Sequence, residues 1–201
     1  MTTASGIDGA GTFLTAERVA LKPLTPAHAS LLAPWMNDEE VTHFMFTGQR
    51  PTTVEQLGDE IRRQADNPAH TVFFVEDRST KHPIGTAGLY DVHLTARKAE
   101  FRILFGAKEF WNKGYGTEVT ELLTFYAFDR LNLNKVWLGV IDENKGAHRA
   151  YEKAGFREEG RLKQELYRNS RYYDAIRMSV LRQDYYPDMH AAHLKRFGRR
   201  P

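Results

Sequence analysis

Two closely spaced glycines, Gly114 and Gly116, precede a run of good helix formers. Such a loop can bind an anion, because backbone N–H groups without side chains and the positive end of the helix dipole both stabilise negative charge. A nucleotide-hydrolysis loop does not fit, since Thr117 follows where a lysine is needed. A dinucleotide fingerprint does not fit either, since Val119 stands where a third glycine belongs. The pattern favours a pyrophosphate site, and a plain strand-to-helix turn is the alternative.

A second group of residues follows a strand-like stretch at 135–141. It comprises Asn144, Ala147, Tyr151, Gly155 and Phe156. A glycine loop, a strand, an asparagine, a helix with a tyrosine and a Gly-Phe pair, in this order, resemble the GNAT superfamily of acyl-coenzyme A dependent N-acyltransferases. The resemblance covers residues 17–182. Two branches are similar, the bacterial spermidine N-acetyltransferases and the acetyltransferases of nucleotide-linked amino sugars, on the segments 97–101, 111–116, 167–169 and 172–174.

The resemblance implies acetyl-coenzyme A as co-substrate, and the coenzyme brings its own diphosphate and thiol. Main-chain amides of 111–117 would hold the diphosphate, and the pantetheine arm would lie between two splayed parallel strands near Ile103 and Leu138. Free strand N–H and C=O groups could then bind this amide-rich arm. The expected coenzyme-binding residues are Phe105, Trp111, Asn112, Lys113, Gly114, Tyr115, Gly116, Thr117, Asn144, Ala147 and Tyr151.

Acyl transfer to an amine needs a proton acceptor, a proton donor and a polarised carbonyl. The resemblance implies that Tyr151 protonates the leaving thiolate, and a packed core aromatic is the alternative. Glu100 is the candidate base, because burial on its strand would raise its pKa. A structural glutamate paired with Arg102 or Arg171 is equally consistent with the sequence. Main-chain N–H groups at 105–106 are candidates for polarising the carbonyl.

The acceptor amine is less well specified. A polyamine pocket should gather carboxylates, and the polyamine branch has consecutive glutamates after an aromatic pair. At the matching positions this chain has Thr47 and Gly48, and Arg50 nearby adds a positive charge. The sequence therefore favours an amino sugar or related small amine, with a polyamine or a protein N-terminus as alternatives. Acidic residues at 38–40, Glu55 and Asp59 could still serve a polyamine. The candidate substrate-binding residues are Trp35, Glu39, Phe46, Arg50, Tyr90 and Arg97.

Composition excludes several other chemistries. Cysteine is absent, which removes thiol nucleophiles, thiolate metal sites and disulfides. A net charge of +2 provides no global field for nucleic acid, and the histidines are scattered, so neither nucleic acid nor a metal is expected. No long apolar run or leader is visible, so a cytoplasmic protein without a membrane partner is expected. A coenzyme A sensor without turnover is the non-enzyme alternative.

The elements that must position these residues follow from periodicity. The chain of 201 residues, 41% of them hydrophobic, suits one domain at 17–182 between a flexible N-terminal tail at 1–16 and a basic C-terminal tail at 183–201. Strands are predicted at 17–24, 71–76, 84–92, 99–105, 135–141, from 156 and at 172–181. Helices are predicted up to 36 and at 38–45, 53–67, 116–131 and 145–153. This α/β order predicts a single-domain GNAT fold, with a mixed, mostly antiparallel sheet and helices on both faces. The resemblance also implies a homodimer that pairs Tyr172, Tyr173 and the C-terminal strand.

Overall fold

A computed structural model describes residues 11–198, and its centre is one eight-stranded sheet. The strands are β1 (Leu14–Thr15), β2 (Val19–Pro23), β3 (Thr71–Asp77), β4 (Pro83–His93), β5 (Lys98–Phe105), β6 (Lys135–Ile141), β7 (Arg157–Arg168) and β8 (Arg171–Leu181). They are ordered β1-β2-β3-β4-β5-β6-β8-β7, and every neighbouring pair except β5–β6 is antiparallel. The predicted mixed, mostly antiparallel α/β sheet is confirmed.

Helices surround this sheet. They are α1 (Ala29–Met36), α2 (Glu39–Thr42), α3 (Val54–Asp66), α4 (Tyr115–Asp129), α5 (Lys145–Lys153), α6 (Arg182–Tyr185) and α7 (Ala191–Phe197), with short 3-10 turns at Pro26–His28 and Lys108–Phe110. A capping box starts α3, because the Thr53 side chain accepts from the Gln56 N–H and the Gln56 side chain accepts from the Thr53 N–H. Of the helices described between residues 11 and 198, none is long and apolar enough to cross a membrane.

The parallel strands β5 and β6 separate along their length. They pair over three residues, from Lys98–Lys135 to Glu100–Trp137. Beyond that point β5 stays paired with β4 as far as Phe105, and β6 stays paired with β8 as far as Ile141. Each strand is therefore held on its outer side while the inner sides diverge. The predicted splay is confirmed, and it opens at the carboxyl ends of both strands.

Both chain ends are more ordered than the sequence suggests. Within the expected N-terminal tail, residues 1–10 lie outside the described residues, whereas Leu14 is buried and β1 pairs with β2. The expected C-terminal tail is helical from Arg182 to Phe197. Tyr185 and His193 are buried there, and Phe197 packs against Phe125 of α4. Apolar burial against α4 accounts for this order.

Candidate active site

A cavity of about 1490 Å³ lies where β5 and β6 diverge. Its walls come from the carboxyl halves of these strands, the glycine loop before α4, the first turns of α5 and the segment around α2. Twelve of the residues predicted for the site line it. They are Glu39, Phe46, Glu100, Phe105, Trp111, Asn112, Gly114, Gly116, Thr117, Asn144, Ala147 and Tyr151. Lys113 and Tyr115 belong to the same loop but do not line the cavity.

The glycine loop presents unpaired main-chain donors. The N–H groups of residues 112–117 make no hydrogen bond to any other residue between 11 and 198. Three of these donors belong to the first turn of α4, a helix of 15 residues, so the positive end of its dipole is at the cavity. This arrangement can bind an anion through main chain alone.

Gly114, Gly116 and Gly139 line the cavity, and the backbone conformation requires glycine at only one of them. Gly114 has φ +83°, a left-handed conformation that side chains rarely adopt, so the backbone itself requires glycine there. Gly116 and Gly139 have no positive φ, and a Cβ on either would meet no protein atom within 4 Å. The fold therefore does not explain them. A ligand that approaches the backbone closely would, and Gly139 was not predicted for the site.

The start of α5 also faces the cavity. Asn144 caps this helix, because its Oδ1 accepts a hydrogen bond from the Ala147 N–H at 3.1 Å. Asn144 therefore has a structural role at the helix start, and its Nδ2 donates to no other described residue. Lys145, Arg149 and Lys153 line the cavity at spacings of four residues and pair with no carboxylate between residues 11 and 198. Their spacing on a predicted helix was a signal for a cationic face that sequence reasoning missed.

Tyr151 is both buried and at the cavity. It is 9% exposed and packs edge-on against Phe101 and near Phe156. Its hydroxyl makes no hydrogen bond to another described residue. Burial raises the pKa of the Tyr151 phenol well above its usual value, so the group is protonated at neutral pH. A phenol in this state can donate a proton and cannot act as a base.

Glu100 lines the cavity from β5. Its Oε2 accepts a hydrogen bond from Arg102 Nη2 at 2.6 Å, two residues along the same face of the strand. Its Oε1 has no partner among the described residues. Ala99 and Phe101 face the core on the other side of the sheet, so Glu100 is only partly buried. The predicted ion pair with Arg102 is present, whereas Arg171 pairs with Glu143 instead.

The expected carbonyl-polarising donors at 105–106 are not all available. The Gly106 N–H donates to the Ile84 carbonyl at 3.0 Å, which removes it from any role at the cavity. The carbonyl of Phe105 accepts from Trp111 Nε1 at 2.8 Å. Trp111 thereby fixes the end of β5 against the loop that carries the free amides.

A separate wall of the cavity is formed by residues 39–47, which include the exposed Phe46. Arg168, at the end of β7, is buried and holds this wall. Its Nη2 donates to the carbonyls of Thr42, Met45 and Thr47 at 3.1, 3.2 and 2.7 Å. Sequence reasoning missed this role because the contacts join residues more than 120 positions apart, although 167–169 was one of the resembling segments.

Four predicted substrate-binding residues lie outside the cavity. Trp35 packs in the small core between α1 and α3, and Arg50 is exposed on the loop before α3. Tyr90 packs under Arg102, and burial raises its pKa to about 12. Arg97 donates to the carbonyl of Asn132 at 2.8 Å, at the amino ends of β5 and β6. The cavity opens at the carboxyl ends, so Arg97 is at the opposite end of the strand pair.

The Acetyltransferase (GNAT) domain family matches residues 18–157 of this chain. The spermidine N(1)-acetyltransferase of Escherichia coli strain K12 is 32% identical over 171 residues, which cover 85% of this chain and 90% of that protein. A crystal structure of spermidine N-acetyltransferase from Vibrio cholerae in complex with CoA and spermine superposes with a TM-score of 0.76 and 31% identity. The match covers 83% of this chain and 97% of the Vibrio cholerae chain. A dodecameric structure of the Vibrio cholerae enzyme superposes with a TM-score of 0.72 and 30% identity. The match covers 85% of this chain and 98% of that chain.

Proposed function

This chain belongs to the GNAT acetyltransferase family, and from that premise we propose that it transfers the acetyl group of acetyl-coenzyme A to a primary amine of a polyamine such as spermidine. That it is an acyltransferase follows from the family and the relatives; the acceptor is the part proposed. The amino-sugar acceptor expected from the sequence is less well supported. Similar proteins are named for spermidine, and the predicted substrate-binding residues Arg50, Tyr90 and Arg97 lie outside the cavity.

The carboxylate of Glu39 is the observation that carries the acceptor assignment. Four glutamates line the cavity. Glu40 pairs with Lys108, Glu100 with Arg102 and Glu143 with Arg171. Between residues 11 and 198, Glu39 pairs with no cation, and its Oε1 accepts only from Asn169 Nδ2 at 3.0 Å. A carboxylate with spare acceptor capacity is suited to an ammonium group of a polyamine. Residues 47–48 carry no carboxylate in this chain, and we propose that Glu39 of α2 takes that role.

The residues fit acetyl-coenzyme A, which supplies an activated acetyl thioester and a diphosphate. The unpaired N–H groups of 112–117 suit the diphosphate, and the open space at Gly116 and Gly139 suits a ligand close to main chain. The gap between β5 and β6 leaves strand edges available for the amide-rich arm. The cationic face of α5 adds positive charge at the same cavity.

Two side chains are proposed to handle protons. A primary amine has a pKa near about 10 and is cationic at pH 7, so it must lose a proton before it attacks. We assign this proton to Glu100, which lines the cavity and whose Oε1 has no partner among the described residues. Tyr151 donates its phenolic proton to the departing sulfur, because its hydroxyl lies at the cavity and has no other partner among the described residues. The phenolate then takes the second proton from the nitrogen as the amide forms, and Glu100 releases its proton to solvent. No covalent enzyme intermediate is needed, since the amine attacks the thioester directly.

The acceptor is tested by following thiol release from acetyl-coenzyme A with a panel of amines. The panel contains spermidine, spermine, free and nucleotide-linked amino sugars and N-terminal peptides. We expect the polyamines to give the highest kcat/KM. Selective turnover of an amino sugar or a peptide would overturn the acceptor assignment without affecting acyl transfer itself.

Substitution of Glu39 tests the assignment within the cavity. Glu39→Gln should raise the KM for spermidine by about tenfold, because a charge-assisted hydrogen bond is lost, and should leave the KM for acetyl-coenzyme A unchanged. Glu40→Gln is the matched control, since that neighbouring carboxylate is already neutralised by Lys108. An equal effect of both substitutions would indicate a general field effect rather than a binding contact.

We also propose a homo-oligomer, since a related enzyme is dodecameric. Tyr167 and Tyr172 are exposed on the strands β7 and β8, and their rings contact each other at a tilt, with centroids 4.8 Å apart. Tyr173, expected at the same contact, is buried beside Phe44.

A further inference from the structure

Arg18 lies at the bend between β1 and β2, outside the cavity, yet it contacts the back of the glycine loop. Its Nη1 donates to the Lys113 carbonyl at 2.7 Å, and its guanidinium lies 4.6 Å from the centre of the Tyr115 ring. A Cβ built on Gly114 would be 3.2 Å from its Nη2. The guanidinium therefore packs directly beneath the turn that starts α4.

The contact with the Lys113 carbonyl sets the direction of the next amide. No peptide bond in the described chain is cis, and in a trans peptide the carbonyl and the following N–H point in opposite directions. Arg18 holds the Lys113 carbonyl on the side away from the cavity, so the Gly114 N–H points towards it. This agrees with the cavity lining, which includes Gly114 and omits Lys113.

Arg18 also neutralises a buried carboxylate at the same helix end. Glu118, in the first turn of α4, is 3% exposed. Its Oε1 accepts from the Arg18 main-chain N–H and its Oε2 from Arg18 Nε, both at 2.7 Å. An unpaired carboxylate so close to the free amides would repel an anion, and burial weakens the screening of that repulsion by solvent. The ion pair removes it.

We propose that Arg18 is a positioning residue for the diphosphate of the acetyl donor, because it orients the Gly114 amide and cancels the charge of Glu118. This inference rests on the proposed use of the loop as a diphosphate site. Arg18 does not touch the reacting atoms. Its effect should therefore appear in the binding of donors that carry a diphosphate and not in the rate of the chemical step.

The test compares acetyl-coenzyme A with acetyl-pantetheine, a thioester donor that lacks the diphosphate. Arg18→Gln should raise the KM for acetyl-coenzyme A about tenfold or more, with kcat within about twofold of the wild type. The kcat/KM for acetyl-pantetheine should not change. The double variant R18Q/E118Q should recover part of the lost affinity, because it removes the unpaired carboxylate charge that the single variant leaves.

Arg78→Gln is the matched control, since Arg78 braces the same bend through the Ala16 carbonyl at 3.0 Å without touching the loop. It should leave both donors unaffected. Should R18Q not fold, Arg18→Lys provides the same comparison, because an ammonium group cannot reach both the Lys113 carbonyl and the carboxylate. An unchanged KM, or equal losses with both donors, would overturn the positioning role. A wild-type enzyme that does not prefer acetyl-coenzyme A over acetyl-pantetheine would instead contradict the diphosphate site itself.

Discussion

Tyr151 lies at the cavity with a hydroxyl that carries its proton. A phenol is protonated at neutral pH even at its usual pKa, and burial against Phe101 and Phe156 raises the pKa further. The hydroxyl is nevertheless not consumed by a structural hydrogen bond within residues 11–198, although buried tyrosine hydroxyls usually find a partner. The hydroxyl oxygen reaches the surface of the cavity, where a ligand can accept its proton. This argues for a role in the reaction rather than in packing.

The corresponding prediction concerns Tyr151→Phe. Loss of acid catalysis should lower kcat by about 10² or more, whereas the KM for acetyl-coenzyme A should change little, because the ring still packs. Thiol release at saturating donor and acceptor measures the first quantity, and calorimetry of coenzyme A binding checks the second. Tyr173→Phe is the control, since that tyrosine is buried beside the site but does not line the cavity. Equal turnover of wild type and Tyr151→Phe would remove this residue from the chemistry.

The strand β6 contains a glycine, Gly139, that lowers strand propensity but leaves space beside the cavity. Glycine weakens a strand interior, yet Gly139 stands in the middle of β6, on the side where β5 has moved away. No protein atom lies within 4 Å of the position its Cβ would take. The position is therefore open to solvent or a ligand, and a ligand bound there would account for a residue that strand propensity alone disfavours.

Substitution of this glycine should separate folding from donor binding. Gly139→Val should preserve or raise the melting temperature, because valine favours strands, and should weaken coenzyme A binding at least about tenfold by filling the gap. Differential scanning fluorimetry with and without coenzyme A measures both effects. Gly160→Val in β7 is the control, since a Cβ there also meets nothing within 4 Å but the residue lies outside the cavity. Undiminished binding by Gly139→Val would show that the ligand does not approach β6.

Periodicity in the sequence predicted the elements that carry the site. The strand at 135–141 and the helix at 145–153 are found with the predicted bounds, because a buried strand and an amphipathic helix leave clear patterns. The terminal elements escaped prediction, because β1 has only two residues and the C-terminal helices gain stability from packing on α4. The loop residues were predicted from type and spacing. Arg18 was not, since its loop partner is 95 positions away and leaves no local pattern.

On the scale of the whole molecule, the C-terminal helices link stability to pH through one histidine. His193 of α7 is 3% exposed and lies 3.1 Å from the Tyr185 hydroxyl through its Nδ1. Burial, with smaller contributions from the nearby Arg196 and His190, lowers the pKa of His193 to about 4. The folded protein thus holds this imidazole neutral, whereas the unfolded chain binds a proton near pH 6.5.

The sign of the resulting pH dependence follows from linkage. Between about pH 6.5 and 4 the unfolded chain binds more protons than the folded one, so stability falls as pH falls through this range, by at most about 3 kcal/mol from this group. Urea denaturation at a series of pH values measures the slope. His193→Gln should reduce it, and His93→Gln, an exposed control, should not. An unaltered slope in His193→Gln would assign the pH dependence to other groups.

The attachment of the 39–47 wall has a consequence for how such enzymes diversify. The proposed donor contacts come from the continuous stretch 100–153, whereas the wall proposed to face the acceptor is a short separate segment. The guanidinium of Arg168 holds that segment by its main-chain carbonyls. Those carbonyls exist whatever side chains the segment carries. After a gene duplication, drift within these few codons can therefore exchange one amine for another while the inherited acetyl-transfer apparatus stays intact.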